Sequence, residues 1–131
     1  MVHVLLATAL LSIMLGALSG FAVLASVDYP AKLRALGVVN PMRVRQAHLD
    51  WIIMGTVMAV TALANPQLPD WVVALVMFGG VVNPLTFVPM AFSTTVETTK
   101  AFQWVSFVSF VSLSVGPVSY THLTLPTILL V

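Results

Sequence analysis

Three polar side chains interrupt the long apolar stretches of this chain and carry groups that can do chemistry: His48, Asp50 and Asn83. An imidazole can ligate a metal or move a proton, a carboxylate can take up a proton, and an amide can orient a substrate oxygen. His48 lies in Arg43-Val44-Arg45-Gln46-Ala47-His48-Leu49-Asp50-Trp51, about one helical turn inside an apolar run. At roughly 3.6 residues per turn, His48, Gly55, Ala59 and Ala62 fall on one helix face. A lone imidazole then stands at the base of a stripe of small residues, where a flat ligand could lie. The same pattern also describes an interfacial histidine bonded to a backbone carbonyl, with the stripe packing against another helix. Asn83 lies near the middle of a later run, after Gly79-Gly80 and before Pro84, on a face with Thr86, Phe87 and Met90. An amide at that depth needs a partner, either a bound substrate or a neighbouring helix. Asp50 reads as a proton-handling group, or as a partner for Arg43 and Arg45.

Other chemistries find no support in the residues. The chain has no cysteine, which excludes thiolate metal sites and disulfides. His3 and His48 fall at opposite ends of helices, about 30 Å apart across a bilayer, and cannot share a metal. The net charge is +1 and no dense Lys/Arg cluster occurs, so no nucleic-acid partner is expected.

The elements that must position these groups follow from composition. The chain is 60% hydrophobic and 7% charged, with a mean hydropathy of +1.06, against roughly 25% charged residues in a soluble domain. Four apolar stretches, at about 4–27, 44–64, 71–92 and 102–116, approach the length needed to cross hydrocarbon as helices. The expected fold is all-α, an integral membrane four-helix bundle. The first stretch is read as a retained helix rather than a signal peptide, because it lacks a basic leader and is too long. Within it Ser12, Gly16 and Gly20 form a small-residue line suited to close helix packing. Pro84 is expected to kink the third span. Ser106, Ser109 and Ser112 recur at spacing three in the fourth span and suit bonds to a neighbour.

All five basic residues fall in two connections: Lys32, Arg34, Arg43 and Arg45 before the second span, and Lys100 before the fourth. The positive-inside rule places both connections in the cytoplasm, with the chain in an inner (plasma) membrane. Trp51, Trp71 and Trp104 fall near span ends, where indole rings favour the interface.

The segment Val118-Ser119-Tyr120-Thr121-His122-Leu123-Thr124-Leu125-Pro126-Thr127 resembles the translation of a transposase-type DNA sequencing adapter. That resemblance implies a four-helix domain over 1–116 and a foreign tail over 117–131, excluded from fold reasoning.

The second span carries another resemblance. Arg45-Gln46-Ala47-His48, followed by Gly55 and Met58-Ala59-Val60, resembles styrene oxide isomerase and hydroxylaminobenzene mutase, a group of small four-span membrane proteins. Gly80-Val81-Val82-Asn83 is similar to the Gly-x-x-Asn of their third span. The resemblance implies that His48 ligates the iron of haem b, that Gly55 and Ala59 make room for the porphyrin, and that subunits assemble, as a trimer in the isomerase. It also implies a small apolar substrate, with ferric iron as Lewis acid and Asn83 orienting the substrate. Met54 stands where the group has an asparagine, and Phe87 where the isomerase has a tyrosine. Both departures bear on epoxide opening more than on haem binding. The competing expectation is a non-catalytic membrane subunit whose small-residue faces dock partner helices. A small transporter is a weaker option, since no internal repeat is present.

Overall fold

The computed structural model describes residues 1–128. Helix α1 spans Val2–Asp28, α2 Pro30–Ala35, α3 Pro41–Ala64, α4 Asp70–Phe92 and α5 Lys100–Ile128, with a single 3-10 turn at Val96–Thr98. No strand occurs among the described residues. Four helices are long and apolar enough to cross a membrane. They coincide with the four expected spans to within a few residues, except at the end of α5. That helix does not stop near residue 116 but continues through Pro117.

Local sequence explains the breaks. Pro30 and Pro41 each open a helix at its first turn, where a missing N–H costs nothing. Gly37, between them, has φ +91°, a left-handed conformation that reverses the chain after α2. Asp70 opens α4, where its charge suits the positive end of the helix. Inside α4, Pro84 and Pro89 are accommodated within one helix, and Pro84 is fully buried.

The long helices pack mainly as successive antiparallel neighbours, α1 on α3, α3 on α4, and α4 on α5. The result is an open bundle in which α5 rests chiefly on α4. The tightest core joins Leu5 and Ala9 of α1, Met58 and Ala62 of α3, and Val72, Val73 and Val76 of α4. It lies at the end of the bundle opposite the α2 connection. Two contacts fasten that other end. The backbone N–H groups of Val39 and Asn40 both donate to the Ala91 carbonyl, at 2.9 and 3.1 Å. Arg43 donates to Glu97 Oε2 at 2.8 Å and to Gln46 Oε1 at 2.9 Å. These bonds bring the connection before α3 and the connection before α5 to the same end, as the distribution of basic residues anticipates.

The outer surface is apolar. Phe21, Leu36 and Trp104 are 73%, 75% and 66% exposed, and many leucines and valines join them. A patch of that extent on a water-soluble monomer would drive association.

The Arg43–Glu97 pair is partly exposed, so its contribution is small. Glu97→Gln is expected to lower unfolding stability in detergent by no more than about 1 kcal/mol, with the difference shrinking at high salt. Thermal unfolding at two salt concentrations checks this.

Candidate functional site

His48 faces α1. Its Nδ1 lies 2.7 Å from the Gly16 carbonyl oxygen and 3.2 Å from Ser19 Oγ. A carbonyl only accepts, so Nδ1 carries the hydrogen and donates, which leaves the lone pair of the neutral ring on Nε2. Ser19 Oγ also donates to Gly16 O, at 2.7 Å. Nε2 has no hydrogen-bond partner among the described residues and is not fully buried. The imidazole is therefore anchored on one side and open on the other. Metal-ligating histidines commonly show this arrangement, with the second nitrogen held by a carbonyl that fixes tautomer and ring orientation.

The stripe above His48 is a helix-packing seam, not a free groove. A Cβ added at Gly55 would come within 2.7 Å of Ile13 Cγ1, 2.9 Å of the Ala9 carbonyl oxygen and 3.0 Å of the Ile13 backbone nitrogen. Ala59 packs against the core, and Ala62 is buried within it. On the α1 side, Gly16 meets Ile52 and Trp51, and Gly20 meets the His48 ring itself. Two helices approach this closely only where side chains are absent. A porphyrin has no room between α1 and α3, so Gly55 and Ala59 do not form its cradle within one chain. The donor atom of His48 fits a haem; the interior space does not.

Asp50 and Asn83 meet on the other side of α3. Asn83 Nδ2 donates to Asp50 Oδ2 at 2.8 Å, and Asn83 is 5% exposed. Residues two apart on a helix point about 200° from each other, so His48 turns to α1 while Asp50 turns to α4. The structure joins Asp50 with Asn83 and separates both from His48. The Asn83 amide nitrogen is engaged by a neighbouring helix and not held toward a ligand on His48. Asp50 bonds to this amide rather than to Arg43 or Arg45. Both polar groups thereby acquire the partner that an apolar surround demands. Below them, Thr86 Oγ1 donates to the Asn83 carbonyl at 2.6 Å.

The serine line of α5 belongs to packing as well. Ser109 is fully buried and donates to the Gly79 carbonyl at 3.2 Å, and Ser112 is also buried. Gly79 leaves no space for a side chain, because an added Cβ would stand 2.7 Å from the Ser109 carbonyl oxygen.

Sequence reasoning missed Ser19. It touches both the His48 ring and the carbonyl that holds it, yet it lies beside the Ser12–Gly16–Gly20 line and not on it. Its position one residue before Gly20, the glycine that faces the imidazole, is the only signal available in the sequence. Among the described residues no group of three or more His, Cys, Asp or Glu side chains gathers in one place. The chemistry of this site therefore centres on one imidazole with a fixed tautomer. No known protein family, curated protein or solved structure matches the chain.

Proposed function

We propose that the chain is an integral membrane protein that presents His48 as a ligand for haem b at its outer face, beside another copy of itself, and that it handles a small apolar molecule drawn from the bilayer. The observation that carries this reading is the His48 ring, with Nδ1 tied to the Gly16 carbonyl at 2.7 Å and Nε2 unpartnered and accessible. The filled seam at Gly55 requires the macrocycle to lie outside the single chain, which is why the reading includes an oligomer, a trimer by resemblance. Bound there, ferric haem would supply Lewis-acid polarisation of a substrate oxygen. His48 holds and orients, Ser19 and Gly16 fix the imidazole, and the surrounding hydrocarbon excludes water. Isomerase or mutase chemistry would need Asn83 to leave Asp50 in order to orient the substrate. Met54 and Phe87 offer no hydrogen-bond donor, and the Asn83 amide nitrogen is engaged by Asp50.

The four long apolar helices support insertion in an inner (plasma) membrane. Lys32, Arg34, Arg43, Arg45 and Lys100 gather at one end of the bundle, which the positive-inside rule assigns to the cytoplasm.

The competing reading is a non-catalytic subunit that docks partner helices through its small-residue faces. It draws less support, because Gly16, Gly55 and Gly79 are already occupied by contacts within the chain.

An absorption spectrum decides between them. Protein expressed with ample haem and purified in mild detergent is expected to show a Soret band that His48→Ala removes. Haem-free wild-type protein, or an unchanged band in the variant, ends the haem reading. Co-purification of a larger, colourless complex would favour the subunit reading.

A further inference from the structure

A half-open chamber of about 400 Å³ lies at the α2 end of the bundle, where the main core does not reach. Ser19 and Ala22 of α1 form one wall. Ala47 and Trp51 of α3 and Phe87 and Ala91 of α4 form the others. Leu33 and Val38, both largely buried, cover part of it, and the segment that carries them is pinned to α4 by the two bonds to Ala91 O; the exposed Leu36 and Phe92 at its edge leave it half open. His48 does not line this space; Ser19 stands between them.

The lining specifies what can enter. It is apolar apart from one hydroxyl, one guanidinium and the indole N–H of Trp51. The guanidinium, on Arg43, is balanced by Glu97 and bonded to Gln46, so its charge is not free to hold an anion. The Ser19 hydroxyl gives its hydrogen to Gly16 O and keeps only acceptor capacity. A charged ligand would lose its hydration here without compensation. Buried apolar space of about 150 Å³ accepts benzene, and small-molecule sites begin near roughly 300 Å³. At about 400 Å³ the space suits a compact molecule and is too small to hold a whole phospholipid.

We propose that this chamber is a binding site for an uncharged one- or two-ring apolar molecule that enters from the bilayer, with Ser19 Oγ able to accept a single hydrogen bond from it. The inference rests on the membrane-bundle reading with a small apolar guest. It does not depend on haem, and its test reads a different signal from the Soret band.

The test uses the full chain in detergent with Trp71→Phe and Trp104→Phe, leaving Trp51 as the sole indole. The probe is 1-bromonaphthalene, whose heavy atom quenches tryptophan on contact. The expected result is saturable quenching of most Trp51 emission, relieved by competing naphthalene. Ala22→Phe, which fills the chamber from the exposed side of α1, is expected to weaken probe binding about tenfold or more with unchanged helical circular dichroism. Quenching that rises linearly with probe, unaffected by naphthalene, would show mere partitioning and overturn the site. Equal quenching by a phospholipid with brominated acyl chains, unrelieved by naphthalene, would make the occupant a lipid and overturn the ligand assignment. The naphthalene competition keeps the test decisive if Ala22→Phe fails to fold.

Discussion

Gly55→Leu is expected to pull α1 away from α3 and to destabilise the protein by more than about 3 kcal/mol, whether or not any cofactor is present. The reason is the hardness of what the new side chain meets. Its first carbon alone would stand 2.9 Å from the Ala9 carbonyl oxygen and 3.0 Å from the Ile13 nitrogen, both backbone atoms of a rigid helix. A flexible side chain could swing aside, but a helix backbone moves only by translating the whole element. That movement would also loosen the Gly16–Ile52 contact and lengthen the bond from His48 to Gly16 O, since these lie along the same seam. Gly55→Ala should show a graded version, about 1–3 kcal/mol. Thermal unfolding of haem-free protein in detergent measures both. The result also separates two pictures of the stripe. A free groove for a macrocycle would tolerate leucine in the haem-free protein and lose only haem affinity. A packing seam loses its fold first, and a haem-free Gly55→Leu protein as stable as wild type would refute the seam.

Asn83→Leu is expected to cost about 2 kcal/mol, because it leaves the Asp50 oxygen without its donor in an apolar surround. Asp50→Leu leaves the Asn83 amide unpaired and is expected to cost a similar amount. The double replacement removes both polar groups and should recover much of the loss, as apolar packing replaces a satisfied pair. The signature is therefore strong non-additivity in a double-mutant cycle, read from unfolding in detergent. Simple addition of the two single effects would mean that the bond contributes nothing to the α3–α4 contact. The same set of variants bears on the site. If Asn83 serves only Asp50, the double variant keeps any Soret band that the wild type shows, because His48 lies on the opposite side of α3.

The composition and the run lengths were enough to define four apolar helices, because hydrophobic length is a property of consecutive residues and needs no partner. The placement of glycines and serines likewise marked two contact lines: Gly16 and Gly20 on α3, and Ser109 back on α4. Small residues announce a close approach wherever the neighbour comes from. The short helix α2 escaped notice, since six residues with two charges carry no span-length signal and owe their shape to Pro30 and to burial of Leu33. The neighbours themselves were not legible. A face bearing His48 and Gly55 suits a flat guest and a second helix equally well in one dimension; only the position of α1 decides that backbone fills it. Asp50 and Asn83 are 33 residues apart, and nothing local couples them. Their pairing follows from the crossing of α3 and α4, which also turns His48 the other way. Chain order thus determined which segments are helical and where they can touch. The tertiary arrangement alone decided which polar groups meet, because that depends on the rotation of each helix about its own axis, set by the packing of all its neighbours together.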